Sequence, residues 1–104
     1  MTTVTVHSGA CGFTVTIRAR KGSEGNVTLE FDTDCAMVKE MLQDIAVLDR
    51  FVTLKGFRDN PVYLSASKHL RHAACAVPSG ILKAIEVETG LNVAKDADIC
   101  FMKS

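Results

Sequence analysis

Alternation of apolar and polar residues over the first third of the chain is the feature that most restricts its fold. Residues 3–7, 13–20 and 27–32 each place an apolar side chain at every second position. Alternate side chains of a β-strand point to opposite faces, so each stretch predicts a strand with one buried face. The connections "SGACG" and "KGSEGN" are short and contain glycine, as tight turns require. We therefore expect strands one to three to form an antiparallel meander of adjacent strands.

A weaker alternation is present near the end of the chain. Ile99 and Phe101 alternate with Asp98 and Cys100. This pattern predicts a fourth strand over residues 98–102, which could dock at either edge of the sheet.

Helical periodicity predicts a long helix over residues 35–48. Its apolar stripe consists of Val38, Met41, Leu42, Ile45 and Leu48. Thr33 or Asp34 is available as its N-terminal cap.

Two further helices are predicted in the second half of the chain. Residues 78–89 carry an apolar stripe, begin with Pro78 and are followed by Gly90, which is typical of a helix with defined ends. A shorter helix is expected from Pro61 to about residue 70, with Asn60 as its cap. The segment "FVTLKGFRDN" supports no assignment.

These elements predict one α+β domain over residues 1–104. A chain of 104 residues can bury one core but not two. The simplest way to bury all the stripes is a three- to four-stranded, mostly antiparallel sheet with helices packed on one face.

Charge and hydropathy exclude several classes of partner. The chain has 12 Lys and Arg residues and 12 Asp and Glu residues, so its formal charge is zero and gives no reason to expect nucleic acid or an anionic membrane surface. No signal peptide is visible at the N-terminus, and no apolar run approaches the roughly 20 residues that span a bilayer. We therefore expect a cytoplasmic protein, in which four cysteines indicate free thiols, metal ligands or redox chemistry more than disulfides.

Three of the cysteines occupy predicted connections. Cys11 follows the first strand, Cys35 stands where the third strand gives way to a helix, and Cys75 precedes the last helix. Connections from distant parts of a chain can converge on one site. Cys100 differs, because it falls inside the predicted terminal strand.

The chemistry of helix starts favours metal binding at these positions. Unpaired backbone N–H groups at a helix N-terminus stabilise the thiolate form of cysteine, which is the form that binds zinc or iron. Cys35 and Cys75 are both expected at such positions. His72 precedes Cys75 by three residues and would face the same ligand if the preceding helix extends that far. We therefore predict Cys11, Cys35 and Cys75 as ligands of a metal or cluster, with His72 as a fourth.

The order of these motifs resembles the IscU/NifU N-terminal type of iron–sulfur scaffold. In that family a Cys-Gly follows an early strand, a second cysteine starts a helix after a short meander, and a His-Cys pair opens a final helix. The matching stretches here are "ACGFTVTIRA", "LEFDTDCAMVKEM" and "HAACAVPSGILKAIE". The resemblance implies an IscU-like domain, an iron–sulfur or zinc site at Cys11, Cys35 and Cys75, and partners in iron–sulfur biogenesis or redox reactions.

Departures from the scaffold pattern concern the way a cluster would be released. The family usually has an aspartate two residues after the first cysteine, a residue associated with cluster lability, and this chain has Phe13. His72 is separated from Cys75 by two alanines, and the proline-rich chaperone-recognition stretch has no counterpart. The chain also looks like a family of small uncharacterised proteins, mainly from anaerobes, that share "CGF", "DC" and "HAAC-x-VPS-x-ILKAIEV-x-x-GL".

Three other interpretations remain open from the sequence. Three cysteines and one histidine are also an ordinary ligand set for structural zinc. Cys75 with His72 nearby meets the minimal requirement for a thiol nucleophile, although no orienting acid or oxyanion hole is evident. A purely structural or partner-binding domain is the third alternative.

Overall fold

In the computed structural model, which describes residues 1–102, the strands form a single four-stranded antiparallel sheet. Its strands are β1 (Thr2–His7), β2 (Thr14–Lys21), β3 (Asn26–Asp32) and β4 (Val47–Asp49). They lie in the order in which they occur in the chain. The predicted meander of the first three strands is confirmed.

One face of the sheet is apolar because the pairing register keeps the alternating patterns in phase. Ile17 of β2 lies opposite Val4 of β1 and Phe31 of β3. Val15, Ile17 and Ala19 are completely buried, and the intervening residues of β2 are more exposed. A shift of one residue in either pair would turn this apolar set toward water.

Three helices cover the apolar face within the described part of the chain: α1 (Ala36–Ile45), α2 (Pro61–His69) and α3 (Val77–Glu88). Helix α3 packs on β1 and β2, and α1 packs on β3. Helix α2 contacts the other two helices. The predicted α+β class, with helices on one face of an antiparallel sheet, is therefore confirmed.

Close packing between α3 and the sheet depends on a glycine inside the helix. A Cβ atom at Gly80 would lie within 2.4 Å of Val6 Cγ2 and 3.4 Å of Ile17 Cδ1. Glycine costs about 1 kcal/mol relative to alanine in a helix interior, and here it permits a contact that a larger side chain would obstruct.

The predicted helix over residues 35–48 is too long. Helix α1 ends at Ile45, and Leu48 is the buried residue of β4, opposite Val27 of β3. Leu48 is buried in either arrangement, so the apolar period could not separate a longer helix from a short strand. The cap is also different, because Cys35 occupies the N-cap position and the Thr33 hydroxyl accepts a hydrogen bond from the Cys35 N–H at 3.1 Å.

The predicted strand over residues 98–102 is wrong. Residues 93–102 form no helix or strand, and β4 comes instead from the segment after α1. The alternation of Ile99 and Phe101 is typical of a strand, but both side chains are exposed, and no strand among residues 1–102 pairs with this segment.

The segment that supported no assignment is organised by one buried side chain. Asn60 is 1% exposed, and its Nδ2 donates to the carbonyl oxygens of Val52 and Lys55 at 2.9 and 3.2 Å. Its Oδ1 accepts from the Val62 N–H at 3.0 Å, which confirms the predicted cap of α2. Asn60 therefore ties a short 3₁₀ turn, Val52–Leu54, to the start of the helix.

Among residues 1–102, no helix combines the length and apolar character that a membrane crossing requires.

Ile85 lies at the centre of the face that α3 turns toward the sheet and is completely buried. The substitution Ile85→Ala should lower the free energy of unfolding by about 2–5 kcal/mol, because it removes buried methyl groups and leaves a cavity. Cys100→Ser, at an exposed position, should change it by less than about 0.5 kcal/mol. Urea unfolding measures both, and the opposite ranking would contradict this assignment of the core.

Asn60→Ala removes a helix cap and leaves the buried Val52 carbonyl and the part-buried Lys55 carbonyl without their donor. We expect a loss of roughly 1–3 kcal/mol in the free energy of unfolding. Asn92→Ala provides a matched control, since Asn92 is exposed. Equal effects of the two substitutions in urea unfolding would show that Asn60 does not organise its segment.

Candidate cysteine site at one end of the sheet

The strand register brings the connections that carry Cys11 and Cys35 to the same end of the sheet. His7, the last residue of β1, lies opposite Thr14, the first residue of β2. Asp32, the last residue of β3, lies opposite Thr16. Cys11 lies between β1 and β2, and Cys35 follows β3 by three residues, so both leave the sheet at this end.

The direction of α3 brings Cys75 to that end as well. Gly80, in the first turn of α3, packs against Val6 near the end of β1. At the other end of the helix, Glu88 accepts hydrogen bonds from the Thr2 hydroxyl and the Lys21 N–H at 2.8 and 2.9 Å. The N-terminus of α3, and the Cys75 connection before it, therefore lie over the end of the sheet where β1 finishes.

Cys35 is the buried member of the three. Its residue is 6% exposed and belongs to the hydrophobic core. As the N-cap of α1, its carbonyl accepts from the Lys39 N–H at 3.0 Å, but its side chain makes no capping hydrogen bond. Its sulfur thus lies beside a helix start without serving as the cap.

Cys75 and His72 lie at the two ends of one turn. The Cys75 N–H donates to the His72 carbonyl at 3.1 Å, which keeps the two residues close together. Helix α2 ends at His69, so the three-residue spacing is a turn and not the helical turn that the sequence suggested. Cys75 is half-buried and packs against the core that contains Cys35, while His72 is exposed.

Cys11 ends a one-turn 3₁₀ helix, Gly9–Cys11, and is exposed. Gly12 follows with a φ of +78°, a conformation that favours glycine, and its N–H donates to the Gly9 carbonyl at 2.9 Å. The left-handed conformation of Gly12 thus closes the turn that carries Cys11.

The side chains of these residues are not gathered into a coordination sphere. Among residues 1–102, no group of three or more His, Cys, Asp or Glu side chains is placed to hold a metal ion. All four cysteines are free thiols, and Cys100 lies in the exposed C-terminal segment. The structure brings the three predicted connections to one end of the sheet, and the ligand roles of Cys11, Cys35, Cys75 and His72 stay a prediction.

A polar cluster between α1 and α2 was missed by sequence reasoning. His69 Nε2 lies 2.8 Å from Asp44 Oδ2, and His69 Nδ1 lies 3.3 Å from Glu40 Oε2. The Ser65 hydroxyl donates to the same Asp44 oxygen at 2.9 Å. Glu40 and Asp44 are four residues apart and so share a helix face, a signal that the sequence contained. The cluster joins the end of α2, and hence the start of the segment leading to Cys75, to α1.

The charge of Asp44 is stabilised by these contacts. The hydrogen bond from Ser65 and then that from His69 hold the pKa of the Asp44 carboxyl below its ordinary value of 3.8. A lowered pKa in the folded state means that the contribution to stability is complete above the ordinary value. It is lost as the pH falls through the folded-state value.

Hydrogen bonds to a carboxylate also fix the C-terminal end of α3, where Glu88 is the acceptor. The Lys21 N–H, followed by the Thr2 hydroxyl, lowers the pKa of the Glu88 carboxyl, and burial opposes this shift. The helix is thereby tied at its C-terminus to both β1 and β2.

Asp44→Asn should lower the free energy of unfolding at neutral pH, since it removes the charge that Ser65 and His69 stabilise. The difference in unfolding free energy between the variant and the unmodified chain should begin to narrow as the pH falls below 3.8, where the unfolded chain takes up the proton, and should vanish once the pH is also below the lower folded-state pKa. Urea unfolding between neutral and acid pH measures this. Asp96→Asn, at an exposed position, is the control. A difference that stays constant with pH would contradict the proposed role of the charge.

Comparison with known proteins identifies the family without indicating an activity. Neither a curated protein nor a solved structure matches this chain. No solved structure therefore tests the resemblance to the IscU/NifU scaffold. One family model, described as a family of unknown function (DUF6951), matches residues 2–101. The match spans nearly the whole chain, including all four cysteines, and the chain belongs to this family.

Proposed function

We propose that this protein binds an iron–sulfur cluster, or alternatively zinc, through Cys11, Cys35 and Cys75, with His72 as the fourth ligand. The observation that supports the proposal is the arrival of the three cysteine-bearing connections at one end of the sheet. The residues are far apart in the sequence, so their common location follows from the strand register and the direction of α3.

The state of Cys35 adds a second argument. N-cap positions favour Ser, Thr, Asp or Asn, because their side chains bond the unpaired N–H groups of the first turn. In this chain a cysteine takes that place without making such a bond. Its sulfur is consequently not occupied by a capping bond and lies beside the start of the helix, where it is available as a ligand.

Coordination requires the connection between β1 and β2 to close. Zinc–sulfur bonds are about 2.3 Å long, so Cys11 must approach the other two sulfurs. Cys11 lies in a 3₁₀ turn with no buried residue, and a Cβ atom added at Gly9 or Gly12 would meet no other heavy atom within 4 Å. We propose that this turn moves toward Cys35 and Cys75 when metal binds, since none of its residues belongs to the core.

Two of the proposed ligands are exposed. This exposure favours a cluster that the protein carries and transfers, rather than a closed structural zinc site. Cys11 and His72 are exposed, whereas Cys35 is buried. A site with one buried ligand, one half-buried ligand (Cys75) and two exposed ligands suits transfer to or from another protein. The partners we propose are iron–sulfur biogenesis or redox proteins, and the compartment we propose is the cytoplasm, where thiols stay reduced.

Purification and reconstitution without oxygen test the proposal. An iron–sulfur cluster should give bound iron, acid-labile sulfide and visible charge-transfer absorption, whereas a zinc site should give colourless protein with stoichiometric zinc. Cys11→Ser, Cys35→Ser and Cys75→Ser should each lose at least about 90% of the bound metal, because each removes a thiolate ligand. Cys100→Ser is the matched control and should retain it.

Circular dichroism should accompany these measurements, because Cys35→Ser places a hydroxyl group in the core. If that variant unfolds, Cys35→Ala provides the same test without a buried polar group. Metal retention by Cys11→Ser or Cys75→Ser would contradict the ligand set. Metal-free protein in which Cys75 alone reacts rapidly with iodoacetamide would instead support the thiol-enzyme interpretation.

A further inference from the structure

The β1 edge of the sheet is a long, regular strand with a free side. Strand β1 pairs with β2 over all six of its residues without a bulge, and it is the first strand in the sheet order. Its sequence, TTVTVH, contains only residues that suit strands or tolerate them, with no proline and no lysine. Proteins usually protect such edges with charges, prolines, bulges or short strands. The opposite edge, β4, has only three residues and needs no other protection.

An open groove runs along this unprotected edge. Its volume is about 790 Å³, and its walls are formed by β1, by the side of α3 that contains Gly80 and Lys83, and by residues 92–99 of the C-terminal segment. The segment passes beside β1 without pairing with it. Within the described part of the chain, no hydrogen bond involves residues 94–102.

The C-terminal segment itself has the composition of a strand. Ile99 and Phe101 alternate with Asp98 and Cys100. Ile99, Phe101 and Met102 are 88%, 101% and 91% exposed, so none of them packs against its own chain. The family model continues through residue 101, so this segment belongs to the family's domain.

A second copy of the chain can supply a pairing partner for the β1 edge and another for the C-terminal segment. Residues 100–102 lie beyond the walls of their own groove, and the molecule is 48 Å long but only 28 and 26 Å across. The described part of the chain has a long unpaired edge at β1 and an unpaired apolar segment that resembles a strand at residues 98–102. Two copies that exchange these segments satisfy both needs with the same contact made twice, as in a closed two-fold dimer.

We propose that residues 97–102 of one molecule add as a strand to the β1 edge of a second molecule, and that the second molecule does the same in return. Ile99 and Phe101 share one face of the added strand. They would continue the face on which Val4 and Val6 lie beneath α3, while Asp98 and Cys100 would continue the polar face.

The size of this contact is adequate for a stable dimer. A buried Phe side chain covers about 150–250 Å², and each exchange adds Ile99 and the backbone of six residues. Two exchanges together reach the roughly 1,000 Å² that a specific interface requires. Main-chain hydrogen bonds along the edge would set the direction and register of the added strand.

Analytical ultracentrifugation over a dilution series tests the proposal, with reducing agent and chelator present so that neither disulfides nor metal contribute. The unmodified chain should be a dimer. Phe101→Asp, and a chain that ends at Asp96, should raise the dimer dissociation constant at least about 100-fold, because Phe101 is the largest apolar side chain exchanged. Leu54→Asp is the matched control: Leu54 is 70% exposed and outside the groove, so this variant should remain dimeric.

Amide hydrogen exchange locates the contact. Residues 98–102 and the β1 edge should be protected in the dimer and lose protection together on dilution. A monomeric unmodified chain would overturn the proposal, and protection of these amides in that monomer would mean that the segment closes onto its own β1. A dimer that survives both Phe101→Asp and removal of the segment would overturn it equally. Because the experiment excludes metal, its result is independent of the proposed cysteine site.

Discussion

The packing of α3 on the β1–β2 half of the sheet is the contact on which the rest of the structure depends. Gly80 permits the helix to approach Val6 and Ile17 closely, and Ile85 fills the interface farther along. This contact buries the apolar face of the meander and fixes the direction of the helix. The direction in turn decides which end of the sheet receives Cys75.

Polar contacts outside the core complete the placement of the cysteine-bearing connections. Glu88 ties the far end of α3 to β1 and β2 through hydrogen bonds that also lower its pKa. Asp44 and His69 join α1 to the end of α2, just before the connection that leads to Cys75. The cysteine connections therefore extend from elements that are held on several sides, while the Cys11 turn and the His72 side chain remain open to solvent.

The two proposals concern different parts of the molecule. The cysteine connections lie over the end of the sheet where β1 finishes, whereas the exchanged segment would lie along the side of β1. A dimer formed by exchange would leave Cys35 and Cys75 at the starts of their own helices and would use no proposed ligand. Each molecule of the dimer could then bind its own cluster. A variant that no longer dimerises should still bind the cluster, and a variant that no longer binds the cluster should still dimerise.

The sequence by itself determined the class of fold, because a period of two leaves a strand only one face to bury and short glycine turns leave neighbouring strands adjacent. It also indicated the cap at Asn60 and the positions of three cysteines in connections. Tertiary structure decided that Leu48 belongs to a strand and that residues 98–102 do not. Each of these two segments is compatible with a strand or with another conformation, and the presence or absence of a neighbouring strand determines which one forms. The convergence of the connections on one end of the sheet also required the register and the helix direction. Those arise from long-range packing, which local periodicity does not contain.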